Sequence, residues 1–113
     1  MKKTDKKIEN TLVASLTEVC EAALKGVEGF QWITHLVNYS DYPKSLSVIC
    51  VFDREDALAR LVASGKDEYL RSLIKEALNR SGIPIKNIQS QVSFDTQEAC
   101  DKQHKGKWSE RLR

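Results

Sequence analysis

Residues Ser45 to Phe52 read Ser-Leu-Ser-Val-Ile-Cys-Val-Phe. The stretch is apolar and rich in β-branched residues, long enough for a strand and too short for a buried helix. We therefore expect it to form the central strand of a small sheet. Asp53 follows directly and, with further acids in the next turn, indicates a helix that begins there and runs to about Ala63.

The segment from Phe30 to Tyr39 is predicted to be a preceding strand, joined to the central one by a turn over residues 38–44. Both of its alternating faces are partly apolar. Either one face meets the helices and the other, with Ile33 and Val37, lies against a partner, or a β-bulge shifts the alternation.

Two longer helices are predicted from apolar stripes with helical spacing. The first runs from about Lys6, capped by Asp5, to Lys25, and Gly26 ends it. The second follows a capping signal at Ser64 to Asp67 and stops at Gly82 and Pro84. Their stripes are Ile8, Leu12, Leu16, Val19, Cys20 and Ala23 in the first, and Leu70, Leu73, Ile74, Ala77 and Leu78 in the second.

The C-terminal part predicts a third strand at Gln91 to Asp95 and a short helix, capped from Asp95, that ends near Gln103. Trp108 and Leu112 indicate that part of the tail docks on the body. The order α-β-β-α-α-β-α predicts an α+β fold, with helices covering a small, mostly antiparallel three-stranded sheet. If the third strand pairs in parallel, a right-handed crossover joins it to the hairpin.

Length and composition favour a single domain over residues 1–113. The chain has 113 residues, of which 41% are hydrophobic and 30% charged, enough for one core. Three cysteines, Cys20, Cys50 and Cys100, cannot all pair. Cys50 lies within the apolar strand and Cys20 follows Val19 on a helical face, which favours small buried thiols in a reducing compartment. No apolar signal-peptide region or membrane span is present in the sequence, so we expect a cytoplasmic protein.

Charge is concentrated at the two ends. Residues 1–7 carry four lysines and one aspartate, a net charge of +3, and residues 101–113 carry five basic and two acidic side chains, again +3. Basic ends on an acidic body are typical either of nucleic-acid contact or of solvated termini. The candidate binding residues, in the N-terminal segment 1–7 and the C-terminal segment 105–113, are Lys2, Lys3, Lys6, Lys7, Lys105, Lys107, Trp108, Arg111 and Arg113.

Aromatic residues near basic ones are a related signal. Trp32, Tyr39, Tyr42 and Lys44 lie close in sequence around the first strand and its turn, a mixture that stacks bases and holds phosphates in some proteins and forms core and rim in others.

Catalytic and metal-binding patterns are weak. Cys100 and His104 stand four residues apart on a predicted helix, a spacing that suits a shared metal or a nucleophile and base, but no further ligand pattern or oxyanion hole accompanies them. No glycine-rich phosphate loop is present. We therefore predict a protein that is not an enzyme and has no metal, cofactor or small-molecule ligand.

Four segments of the chain carry a further signal: Phe30-Gln-Trp32, Val51-Phe-Asp53, the run from Val92 to Cys100 and the closing run from Gly106 to Arg113. Together they resemble a family of short uncharacterised bacterial proteins often labelled as Fis family transcriptional regulators. The resemblance covers nearly the whole chain and implies a regulatory, DNA-associated role. The strand signal at Val92 stands where a Fis-type protein has its helix-turn-helix, so no recognition helix is assigned.

The element order also resembles the type II KH domain and the ribosome-binding factor A fold. The KH loop is Gly-x-x-Gly, whereas this chain has Gly65-Lys-Asp-Glu68; Ala63-Ser-Gly65 is similar to the Ala-x-Gly kink of the ribosome factor. We thus expect a non-enzymatic binding or regulatory module that contacts RNA or DNA. The alternative is a protein–protein interaction module that acts as a homodimer.

Overall fold

The computed structural model describes residues 2–112, and it confirms the α+β fold. Strand β2 (Ser47–Phe52) lies between β1 (Phe30–Leu36) and β3 (Val92–Thr96) in the sheet formed by these residues. From Val48 to Phe52 every residue of β2 is buried. The predicted central strand is confirmed, two residues shorter at its start.

The sheet is mixed, rather than mostly antiparallel as predicted. β1 pairs with β2 in antiparallel orientation, and β3 pairs with β2 in parallel. The parallel pairing requires a crossover, which is provided by helices α2 (Glu55–Ala63), α3 (Lys66–Arg80) and the short α4 (Ile88–Gln91). The bulge, one of the two alternatives considered for the first strand, is present as a shift in register between Phe30 and Trp32, at the start of β1 and not midway along it.

Helix α1 (Lys3–Gly26) is the longest element, and its predicted stripe faces the core: Leu12, Leu16, Val19 and Ala23 are buried. The predicted cap was wrong, because the helix begins three residues earlier than expected and Asp5 lies inside its first turn. In α3 the buried residues are Leu70, Ile74, Ala77 and Leu78, as the period indicated. Both helices pack on one face of the sheet, against Val48, Cys50 and Phe52.

The residues that cap the helices differ from those that the sequence signals indicated, and at α2 the cause is a tertiary contact. Arg54, not Asp53, precedes α2, and the first free amide of that helix, Glu55 N–H, donates to Glu98 Oε1 at 2.8 Å. Glu98 belongs to α5 (Gln97–His104), whose own cap is Thr96 rather than Asp95. Gly65, not Ser64, precedes α3, with a positive φ of 79°.

The other face of the sheet receives the tail. Helix α6 (Trp108–Arg111) follows a left-handed turn at Lys105 and Gly106 and was not predicted as a helix. The predicted docking of Trp108 is confirmed, since its ring meets Trp32 of β1 edge-on with ring centroids 4.8 Å apart. In residues 2–112 no helix combines the length and apolarity that crossing a bilayer requires.

The first strand therefore has both faces against its own chain. Ile33 and Val37, the side expected to meet a partner, pack against the core cluster beneath α1. Trp32, on the opposite side, packs against Trp108.

Candidate nucleic-acid interface

Trp108 and Arg111, two of the predicted binding residues, are engaged with their own chain. Trp108 Nε1 donates to Gln97 Oε1 at 3.0 Å, and Arg111 donates to both carboxylate oxygens of Asp95, at 2.6 and 2.9 Å. Arg111 Nη1 also donates to Gln103 Oε1 at 2.7 Å. With its donors used in this way, Arg111 fastens the tail and has little left to offer a phosphate.

The other C-terminal binding candidates lie on a turn at the surface. Lys105 and Lys107 are exposed, on the turn between α5 and α6. Arg113 lies outside the described residues. The tail therefore presents two free lysines beside a docked tryptophan.

Lys2 precedes α1, the other N-terminal lysines lie in its first two turns, and Lys2, Lys3, Lys6 and Lys7 are all exposed. Lys7 lines a cleft of about 140 Å³ together with Tyr42 and the turn that follows α3 at Ser81 to Ile83. Ser15 of α1 and Ser81 share a hydrogen bond that holds this side of α1 to that turn. Lys7 is thus placed next to an aromatic ring.

A larger pocket of about 440 Å³ lies beside this cleft. It is formed by the β1–β2 loop and the segment that connects α3 to α4, and its lining residues are Pro43, Lys44, Pro84, Lys86, Asn87, Ser90 and Gln91. Lys44 and Lys86 are exposed and come from loops 42 residues apart in sequence. Two ammonium groups at one concave site, with amide and hydroxyl groups between them, suit an anionic ligand.

Gln91 fixes the floor of this pocket. Its Nε2 donates to the carbonyl oxygens of Pro43 and Leu46, both at 3.1 Å, and its Oε1 accepts from Asn87 N–H at 3.1 Å. The side chain is buried, so these bonds tie the two loops together in a water-poor setting. The distance between the loops that carry Lys44 and Lys86 is therefore set by the fold.

The pocket and the cleft adjoin, because Tyr42 and Pro43 are consecutive, as are Ile83 and Pro84. We call Lys7, Tyr42, Lys44 and Lys86 the basic surface. It lies where β1 ends and β2 begins, whereas Trp108 packs on Trp32, which pairs with Val51 near the end of β2. The two basic ends of the sequence therefore lie toward opposite ends of the sheet.

Acidic groups near the basic surface are few. Asp41 is exposed in the β1–β2 loop and Asp5 is in the first turn of α1. Glu9 is paired: it accepts from Tyr39 Oη at 2.6 Å and contacts His35 Nε2 at 3.0 Å. These two hydrogen bonds lower the pKa of Glu9, Tyr39 contributing most, against an opposing effect of burial. The Tyr39 and Tyr42 rings are 6.2 Å apart, so the predicted tyrosine cluster forms, but Trp32 is not part of it.

The Cys100 and His104 pair has the environment of a structural site. Cys100 is fully buried, and burial raises the pKa of its thiol. His104 Nδ1 accepts from Arg111 Nη1 at 3.3 Å. Within the described residues, no group of three or more His, Cys, Asp and Glu side chains is arranged to hold a metal ion.

In the loop that resembles the KH motif, the acidic side chains form ion pairs within the chain. Asp67 and Glu68, in the first turn of α3, both pair with Arg71, at 3.0 and 3.3 Å. The cleft that flanks Gly65 contains Arg60 and Lys66, and Arg60 is paired with Glu28 at 3.3 Å.

Sequence reasoning placed Lys7 and Lys44 near the site but missed Lys86, Asn87 and Ser90. No local pattern marks them, because the pocket arises only when the two proline-containing loops meet. A comparison with protein-family models, with curated proteins and with solved structures found no match to this chain.

Proposed function

We propose that this protein is a non-enzymatic module that binds nucleic acid through its basic surface. The observation that carries the proposal is that Lys44 and Lys86 line one pocket, beside the cleft that holds Lys7 and Tyr42. The proposed binding surface therefore lies at one end of the sheet, whereas the sequence predicted it at the two ends of the chain. The C-terminal lysines are not part of it.

The chemistry fits a phosphate backbone better than a small anion. The basic surface is open and extends from the pocket to the exposed lysines at the start of α1, so it offers several separated positive charges. Such a row neutralises successive phosphates and releases their counterions. Tyr42 is partly buried against the core cluster and lines the cleft beside Lys7, so the exposed part of its ring is where an unpaired base would stack.

A binding titration with charge-reversal variants tests the proposal. Fluorescence anisotropy of labelled single-stranded RNA, single-stranded DNA and duplex DNA would be followed at low salt with the unmodified chain and with K44E/K86E. We expect binding in the micromolar range for at least one of the three and a loss of at least about tenfold in K44E/K86E, since two attractive phosphate contacts become repulsive.

The chain offers its own matched control. K105E/K107E makes the same change of charge on exposed lysines at the other end of the sheet. We expect it to lose much less affinity than K44E/K86E. Equal losses in the two double variants would show a diffuse charge effect and contradict a defined surface, as would the absence of binding to all three probes.

A further inference from the structure

The pocket of about 440 Å³ that contains Lys44 and Lys86 differs in charge from other clefts of the described residues. Each of its lining residues is basic or neutral. Three other clefts each contain at least one carboxylate, among them Glu21 beside β1, Glu28 near α2 and Asp53 after β2. Of these four sites, the pocket is therefore the one that a negatively charged ligand enters without repulsion.

Lys44 and Lys86 supply the positive charge of this pocket. The ion pairs within residues 2–112 involve neither of them. They lie on two loops whose separation is fixed by the hydrogen bonds of Gln91. Two ammonium groups at one site suit the phosphates on either side of a nucleoside.

Pro43 and Pro84 give the pocket apolar walls. Both are lining residues, and neither has a backbone N–H to offer a ligand. The volume of the pocket falls in the range, about 300–1,000 Å³, of sites that bury most of a small organic ligand. An inorganic phosphate would fill little of this space and gain nothing from the proline rings, whereas the flat faces of a nucleobase suit apolar walls.

Asn87 is placed to meet the polar edge of a base. Its backbone is held, because its N–H donates to Gln91 Oε1 at 3.1 Å and its carbonyl accepts from Gln91 N–H at 2.9 Å. Its side chain is exposed and makes no capping bond to α4, so the amide is open to a ligand. A side-chain amide presents a donor and an acceptor side by side, the pattern that pairs with base edges.

We propose that this pocket holds one unpaired nucleotide of a single-stranded nucleic acid. The base packs against the proline rings, and its polar edge bonds to Asn87. The flanking phosphates contact Lys44 and Lys86. The inference rests on the proposed nucleic-acid function and narrows it to single strands.

Base pairing decides between a single strand and a duplex as the ligand. In a duplex the bases are stacked and paired, so one of them enters a pocket only at the cost of unstacking and unpairing. An unpaired base enters without that cost. The next base of a single strand would meet Tyr42, which lines the adjoining cleft. Single strands should therefore bind more tightly than a duplex, even though the duplex carries more charge.

A comparison of probes tests the proposal on the unmodified chain. Fluorescence anisotropy at low salt would compare four labelled probes of equal length, in whichever of RNA or DNA the chain binds more tightly. They are an adenine strand, a pyrimidine strand, the duplex of the two and a single strand of abasic residues. We expect at least one of the two base-containing strands to bind at least about tenfold more tightly than the duplex and the abasic strand.

N87A tests the contact with the base edge, and N10A is its matched control. Asn10 is exposed on α1 and lines neither the pocket nor the adjoining cleft. We expect N87A to weaken binding of the preferred base-containing strand about fivefold and to leave the abasic strand unaffected. N10A should change neither. The truncation keeps the backbone bonds of Asn87, so circular dichroism melts should be unchanged. If N87A proves unfolded, the probe comparison with the unmodified chain still decides.

Failure of this inference is distinct from failure of the proposed function. Equal binding of the base-containing strands, the duplex and the abasic strand would show that the basic surface binds phosphates while the pocket holds no base. An equal loss for base-containing and abasic strands in N87A would contradict the contact with the base. A free nucleoside monophosphate that binds as tightly as the strand would show that the ligand is a small nucleotide. Absence of binding to every probe would remove the proposed function and this inference together.

Discussion

Arg111 and Asp95 form a two-point ion pair that joins the last helix of the chain to the third strand, with bonds of 2.6 and 2.9 Å. Both side chains are largely buried, at 15% and 19% exposed. We expect R111A to lower the free energy of unfolding by roughly 2 kcal/mol, between the values for exposed and fully buried pairs. Urea denaturation measures this, and K107A, an exposed neighbour, should change stability by less than about 0.5 kcal/mol.

Gly29 is a position where the fold needs a residue without a side chain. Its φ is +81°, and a Cβ there would lie 2.7 Å from Ala57 Cβ and 3.1 Å from Asp53 Oδ1. We expect G29A to cost at least about 2 kcal/mol, the strained backbone and the clash combined. G65A is the control, since Gly65 has a similar φ of +79° and open space around it, and should cost only about 1 kcal/mol. If thermal or urea melts show equal losses of stability in G29A and G65A, the close approach of Gly29 to Ala57 adds no cost.

Stability in acid should depend on Glu9. The Tyr39 and His35 hydrogen bonds lower the pKa of Glu9 in the folded chain below its ordinary value of 4.5. The unfolded chain therefore binds the proton more readily, so this contribution is fully present above about pH 4.5 and is lost as pH falls through the lowered pKa. In urea melts at a series of pH values, E9Q should be less stable near neutral pH and lose less on acidification. If the free energy of unfolding changes with pH in the same way for E9Q and the unmodified chain, the Glu9 hydrogen bonds do not contribute to the pH dependence of stability.

The cysteines should be unreactive in the folded chain. Burial raises the pKa of Cys50 to about 12, and the pKa values of Cys20 and Cys100 are also raised, mainly by burial. Since the thiolate is the nucleophile, alkylation near pH 8 should be slow for all three and fast in urea. Mass spectrometry at successive times of alkylation gives the rate for each cysteine. Fast alkylation of Cys100 in the folded chain would contradict this prediction and favour a nucleophile beside His104.

The parts of the fold that depend on local pattern were predictable. The run from Val48 to Phe52 is apolar on both faces because helices cover one side and the tail the other, and the stripes of α1 and α3 have the period of a buried helix face. Burial of these side chains dominates the folding free energy, so the pattern and the structure agree.

The features that depend on distant contacts were not predictable. The cap of α2 is Glu98, more than forty residues away, so the Asp53 signal next to the helix gave the wrong residue. The orientation of β3 depends on how the crossover packs, which no single segment encodes. The same holds for the candidate site. The sequence indicated that Trp108 docks on the body but not that it packs against Trp32, and Lys86 joins Lys44 only through the Gln91 bonds.

The salt dependence of nucleic-acid affinity tests the central claim most directly. For the unmodified chain, a plot of log affinity against log salt concentration should have a slope of about −2.5, as expected for phosphate contacts by the three lysines of the basic surface. K44A/K86A should make the slope shallower by about 1.5, and K105A/K107A should leave it unchanged. No measurable binding at low salt, or a slope that responds to the Lys105 and Lys107 changes and not to those at Lys44 and Lys86, would contradict the account.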